Sequence, residues 1–224
     1  MEFTQLDVDP LDDGVVVLRL NRPEVRNALS IRLRDEVSHA VEMFSANPAT
    51  AAFVITGVGP TFCAGFDLSE FTAAADDPDL NTVLWASSDR FHHSLMRCPV
   101  PVIAALNGPA LAGGFDLATL CDVRIAGPTA WFARPEVEWA VPLYRPLHDI
   151  VGGGIARELC LTSRRVELEE ALRIGLVNSV ADDPLASALE LASAIAKRPS
   201  VAVRATKAKF IGVAGVAARD TLGL

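Results

Sequence analysis

The stretch Pro101–Asp122, PVIAALNGPALAGGFDLATLCD, compresses a structural unit into 22 residues. Val102 to Leu106 is an apolar run that reads as a buried strand, stopping at Asn107-Gly108. Gly113-Gly114 then precedes a short apolar helix running to about Cys121, and Val123 to Ala126 reads as the next strand. Strand, special loop, helix, strand is the alternation of an α/β domain, whose loops gather at the strand ends.

The same alternation extends toward the N-terminus. Val15 to Leu20 is a β-branched run ended by Asn21-Arg22-Pro23. Ser30 can cap a helix whose apolar positions Ile31, Val37, Val41 and Phe44 recur at helical spacing until Asn47-Pro48. Ala51 to Thr56 is a second buried strand, ended at Gly57. After Gly152 the pattern turns helical. Ile155 to Leu161 forms one helix and Glu167 to Ile174 another, closed by Gly175. Asp183-Pro184 opens a third with Pro in its first turn, and Ser200 opens a last one over Val201 to about Phe210. The acidic, small-residue segment Thr72 to Thr82 reads as a mobile loop. The expected organisation is one domain, with a core over 1–180 and a C-terminal helical extension over 181–224.

Composition narrows the function. The chain of 224 residues is half hydrophobic and carries a net charge of −8. Phosphate binding along a nucleic acid needs a basic face, so that class of partner is excluded. No apolar stretch reaches the length of a membrane span. Met1 to Asp13 lacks the basic start and apolar centre of a signal peptide, so a cytoplasmic protein is expected. Cys63, Cys98, Cys121 and Cys160 have neither CxxC spacing nor a partnering His cluster, and read as buried thiols. No metal site is expected.

Four stretches carry candidate chemistry: Asn21-Arg22-Pro23 with Asn27-Ala28-Leu29; Phe62-Cys63-Ala64-Gly65-Phe66-Asp67-Leu68; the unit quoted above; and Arg134-Pro135-Glu136-Val137. Singly, each has a bland reading. Gly113-Gly114 suits a close helix–strand contact, Asp67 can cap the following turn, and Asp116 and Glu136 can be solvated carboxylates. His92 and His93 lie on a helix with no acid at fixed spacing, which makes them structural or surface residues.

Together, in this order, the stretches resemble the enoyl-CoA hydratase/isomerase (crotonase) superfamily. The resemblance rests on Ala64-Gly65-Phe66-Asp67-Leu68 followed by Gly113-Gly114-Phe115-Asp116-Leu117 and Cys121-Asp122, and covers Val15 to Asn178 well. It implies a spiral of repeated β-β-α units with a shortened helical C-terminal region. It also implies an oxyanion hole made by the backbone N–H groups of Phe66 and Gly113. Ala112 replaces the first glycine of the family's triple-glycine run, and the donor turn is expected to survive if Ala112 keeps a negative φ.

The resemblance places the two acids at Asp116 and Glu136, twenty residues apart. The first position is usually Glu, and Asp shortens its reach by roughly 1.5 Å. Residues expected to line the CoA and acyl pocket are Arg26, Ala28, Ala64, Gly65, Asp67, Leu68, Ser69, Gly114 and Tyr144. Arg26 is preferred over Arg22 for a phosphate contact. The segment after Pro142, Leu143-Tyr144-Arg145-Pro146-Leu147, replaces the family's Gly-rich turn and reads as a rigid loop. Through it Tyr144, Arg145 and His148 reshape the acyl end. No cofactor is expected beyond CoA carried by the substrate thioester. The family commonly runs well past the Lys207 region, into helices that cap CoA and build trimers. An apolar face of Ile211, Val213 and Val216 would need a partner, so a homotrimer or dimer of trimers is expected.

The activity so implied is hydration of a 2-enoyl-CoA to a 3-hydroxyacyl-CoA. The alternatives are an enoyl-CoA or dienoyl-CoA double-bond isomerase, or a non-catalytic acyl-CoA-binding subunit.

Overall fold

Strands that read as nearly unbroken apolar runs need cover on both faces, and they have it. The computed structural model describes residues 2–138 and 143–214, apart from the side chains of 138, 213 and 214. Nine strands are described: β1 (Leu6–Pro10), β2 (Val15–Leu20), β3 (Ala52–Gly57), β4 (Val102–Leu106), β5 (Ala110–Leu111), β6 (Val123–Ala126), β7 (Trp131–Ala133), β8 (Val166–Glu167) and β9 (Ser179–Val180). The α-helices are α1 (Ile31–Ser45), α2 (Leu68–Ala74), α3 (Pro78–Met96), α4 (Gly113–Leu120), α5 (Arg145–Val151), α6 (Gly153–Thr162), α7 (Leu168–Arg173), α8 (Pro184–Ala196) and α9 (Ser200–Ala214).

Six strands make the main sheet in the order β1-β2-β3-β4-β6-β9. The pair β1–β2 is antiparallel and the other pairs are parallel. Side chains alternate between faces along each strand. Val16, Leu18, Leu20, Phe53, Ile55, Val102, Ala104 and Leu106 point into the large core with α1 and α3. Val15, Ala52, Val54, Ile103 and Ala105 point to the other face, where Ala188 and Ala192 of α8 cover them. The C-terminal helical segment thus supplies one wall of the sheet. A smaller sheet, β5-β7-β8, stands beside it and carries the chain from β4 to the acid-bearing turn.

Asparagines tie together the loops at the carboxyl ends of the parallel strands. The Asn107 side chain accepts from Gly57 N–H at 3.0 Å and donates to Gly59 O at 2.8 Å. Buried Asn27 donates to Thr61 O at 2.8 Å and Val58 O at 3.0 Å.

Two expectations need correction. Thr72 to Thr82 is mostly helical, because Asp77 caps α3 by accepting from Asp79 N–H and Leu80 N–H at 3.0 Å each, with Pro78 in the first turn. Acidic and small residues mark a helix junction here. Likewise, Pro146 opens α5 where a loop was expected. Pro142 and Val216 lie outside the described residues, as does the Val213 side chain, so the apolar face is represented only by Ile211. No helix among the described residues is long and apolar enough to cross a membrane.

Candidate active site

Gly65, at φ 93°, turns the chain after Cys63 so that the Gly65–Phe66 backbone faces Gly113. Gly65 O accepts from Leu29 N–H at 2.7 Å, and Leu111 N–H donates to Cys63 O at 2.9 Å, pinning this turn between two neighbours. A β-carbon on Gly113 would lie 3.5 Å from Phe66 N and 2.7 Å from the Phe66 ring, and one on Gly65 would lie 3.1 Å from Gly113 N. Neither Phe66 N–H nor Gly113 N–H donates to an acceptor among the described residues. Two neighbouring N–H groups without an acceptor among the described residues, that of Gly113 at the start of α4, can together hold an anion.

The glycines of this turn have separate tasks. Gly113 faces Phe66 across the turn. Gly114 is a packing glycine, since a β-carbon there would meet Cys63 O at 2.3 Å. Ala112 has φ 49° and ψ −127°, contrary to the expected negative φ. Its N–H bonds Ala133 O at 2.9 Å and its carbonyl accepts from Phe115 N–H and Asp116 N–H, so the neighbouring contacts hold it in a conformation suited to glycine. The turn forms at the expense of strain at Ala112.

Asp116 lies one turn into α4 and is buried. β7 runs parallel to β5 and delivers Arg134-Pro135-Glu136 to the same place, Glu136 lying on a 3-10 turn. Arg134 joins them, a residue to which the motifs assign no role. Its fully buried guanidinium donates from Nη2 to Asp116 Oδ1, approaches Cys160 Sγ at 3.9 Å and sits 5.3 Å over the Phe115 ring. Both carboxylate oxygens of Glu136 are buried with no hydrogen-bond partner among the described residues. Burial pushes the Asp116 carboxyl up to about 7, with Arg134 opposing the rise and Glu136 adding to it. Burial likewise raises Glu136, with Arg134 again opposing. The structure thus gathers Phe66, Gly113, Asp116 and Glu136, and adds Arg134.

The remaining candidates divide. Asp67 caps α2 through Ser69 N–H at 3.1 Å and pairs with Arg22 at 3.0 Å, as its bland reading had it. Arg22 also donates to Ala28 O at 2.6 Å. Arg26 is exposed and makes no ion pair among the described residues. Ala64 N–H donates to Arg26 O at 3.0 Å, which joins the two segments expected to line CoA, while Leu68 and Ser69 are exposed beside them. Tyr144 packs against His148, ring centroids 5.5 Å apart, and hydrogen-bonds neither acid. Arg145 turns instead into a separate cavity with Lys207 and Phe210. His92 is buried against Phe66 and held neutral, its imidazole pushed down to about 4 by burial. Burial pushes the Cys63 thiol up to about 12, which removes it as a nucleophile near neutrality.

Known proteins resemble this chain in sequence and in fold. The family model described as enoyl-CoA hydratase/isomerase matches residues 11–217. A probable enoyl-CoA hydratase, echA6 of Mycobacterium tuberculosis, is 36% identical over 199 residues, which is 87% of this chain and 78% of the relative. The human mitochondrial Delta(3,5)-Delta(2,4)-dienoyl-CoA isomerase is 33% identical over 226 residues, covering 93% of this chain and 69% of its own length. The crystal structure of an enoyl-CoA hydratase/isomerase from Mycobacterium paratuberculosis superposes with a TM-score of 0.90 at 31% identity, over 96% of this chain and 89% of that one. With two neighbouring N–H groups, a buried Asp116 beside a half-buried Glu136 and a match along nearly its whole length, the chain belongs to the enoyl-CoA hydratase/isomerase (crotonase) superfamily.

Proposed function

We propose that the protein hydrates a 2-enoyl-CoA thioester to the 3-hydroxyacyl-CoA. The observation that carries this reading is the unequal setting of the two acids beside one pair of free N–H groups. Asp116 accepts a hydrogen bond from a guanidinium, which favours its ionised form, and Glu136 accepts none among the described residues, which favours its protonated form. One base and one acid are what addition of water requires.

In this scheme the thioester oxygen accepts from Phe66 N–H and Gly113 N–H. Water adds at C3 while its proton passes to the Asp116 carboxylate. The electron pair of the double bond moves to the thioester oxygen as an enolate, and Glu136 then delivers its proton to C2. Such donors are each worth about 2.7–4 kcal/mol to the developing charge. Phe66 acts through its main chain. Its ring lies under the Arg34 guanidinium at 4.3 Å and against Phe71, and serves as packing.

Ala28, Ala64, Gly65, Leu68, Ser69 and Gly114 frame the CoA side of this site, and Arg26 is assigned to a CoA phosphate. A homotrimer or dimer of trimers goes with the reading, and a monomer by light scattering at micromolar concentration would count against it.

The test follows loss of enoyl-thioester absorbance with crotonyl-CoA and longer homologues. Asp116→Ala and Glu136→Ala should each lower kcat by about 10²–10⁴. Unchanged rates in both variants would remove the assigned roles, and tight binding without turnover across the panel would favour a binding subunit. One observation favours a second reading. The hydrogen bond from Arg134 weakens Asp116 as a base, and a site with Glu136 as its one proton carrier would isomerise a 3-enoyl-CoA without taking up water.

A further inference from the structure

The buried corner between α4, the turn after β7 and α6 holds three charge-bearing side chains: Arg134, Asp116 and Glu136. With both acids ionised it would carry an excess negative charge in a setting with little water, and one proton brings it to neutrality. The geometry distinguishes the acids. Arg134 donates to Asp116 Oδ1 and is held by the Phe115 ring at 5.3 Å and the Cys160 sulfur at 3.9 Å. Neither oxygen of Glu136 receives a donor among the described residues. Pro135 stiffens the link between guanidinium and acid. The other titratable groups facing this corner, among the described residues, are the Cys63 and Cys160 thiols, which burial keeps protonated.

We propose that Arg134 is a positioning residue for proton transfer: it makes Asp116 the first of the two carboxyls to ionise and keeps the remaining proton on Glu136. The residue acts through its neighbours and touches no reacting atom. What the two acids then do rests on the hydration reading, whereas where the proton sits does not.

The test combines two readouts on wild type, Arg134→Met and Arg134→Lys. Carbon-13 NMR of labelled carboxyls, assigned with Asp116→Asn and Glu136→Gln, gives the order of ionisation without substrate. In wild type Asp116 should ionise at lower pH than Glu136. In Arg134→Met its ionisation, and the acid limb of kcat/KM with it, should move up by about 1–3 pH units, as expected on losing an adjacent cation. Arg134→Lys should recover part of that shift. A wild-type titration in which Glu136 ionises first overturns the proposal, even if the Met variant fails to fold. So does a fall in rate with both titrations unmoved, the mark of a merely structural ion pair. The expected NMR order and shift with no hydration product would leave this assignment standing and remove the hydration reading; hydration with the titrations unmoved would do the reverse.

Discussion

Ala112 sits at φ 49° with a β-carbon crowding the space beside Gly65, where a second one would come within 2.7 Å. A non-glycine residue in such a conformation costs about 1–3 kcal/mol. Ala112→Gly should therefore raise stability by about 1 kcal/mol, read as a higher urea midpoint at unchanged slope; a lower midpoint would show that the side chain's packing outweighs the strain. At the acids, the sign of the pH dependence follows from burial. On the hydration reading Asp116 must be ionised to take a proton from water, and its carboxyl is pushed up to about 7. The rate should thus fall as pH drops below about 7, well above the ordinary aspartate range near 4. On the same reading Glu136 must keep its proton after Asp116 has lost its own, the order that the hydrogen bond from Arg134 to Asp116 favours, and the rate should fall again once Glu136 ionises. A kcat/KM profile flat from pH 5 to 8 would contradict the role of Asp116.

At the scale of elements, the strands buried on both faces were legible because each is a continuous apolar run between turn signals. β2 matches its expected span, and β4 and β6 do as well. β1 was not legible. Its LDVDP is acidic and ends in Pro, and it forms an antiparallel edge where only alternate side chains meet the core. β5, β8 and β9 are two residues each, too short for periodicity to register. The junction Ala75 to Asp77 shows how composition misleads, since the side chain that looked loop-like is the cap. Asp77→Ala should cost about 1 kcal/mol and raise hydrogen exchange in the first turn of α3. Exchange unchanged there would mean that packing alone holds that turn.

Across the whole molecule, distant segments are joined by a few buried ionic contacts. Lys207 of α9 is almost fully buried and donates to Asp122 Oδ1 at 2.6 Å, and Asp122 accepts from Val102 N–H at 2.8 Å at the entrance of β4. Removing one member of such a pair leaves a buried charge unmatched, so Lys207→Met should destabilise the protein by about 3–5 kcal/mol in chemical denaturation. A loss under about 1 kcal/mol would show that α9 contributes little to the fold. The proximity of Phe66, Gly113, Asp116 and Glu136 was legible where motif and backbone coincide. Arg134 was not, because a lone arginine before Pro135 carries no periodicity and gains meaning only when β7 brings it beside α4.

The central claim is that water enters the product. Incubation with a panel of enoyl-CoA thioesters in heavy-oxygen water, followed by mass analysis, tests it directly. The expected result is a 3-hydroxyacyl-CoA bearing the heavy oxygen at C3. A shifted double bond with no label incorporated would contradict it, and would make Glu136 the lone proton carrier of an isomerase.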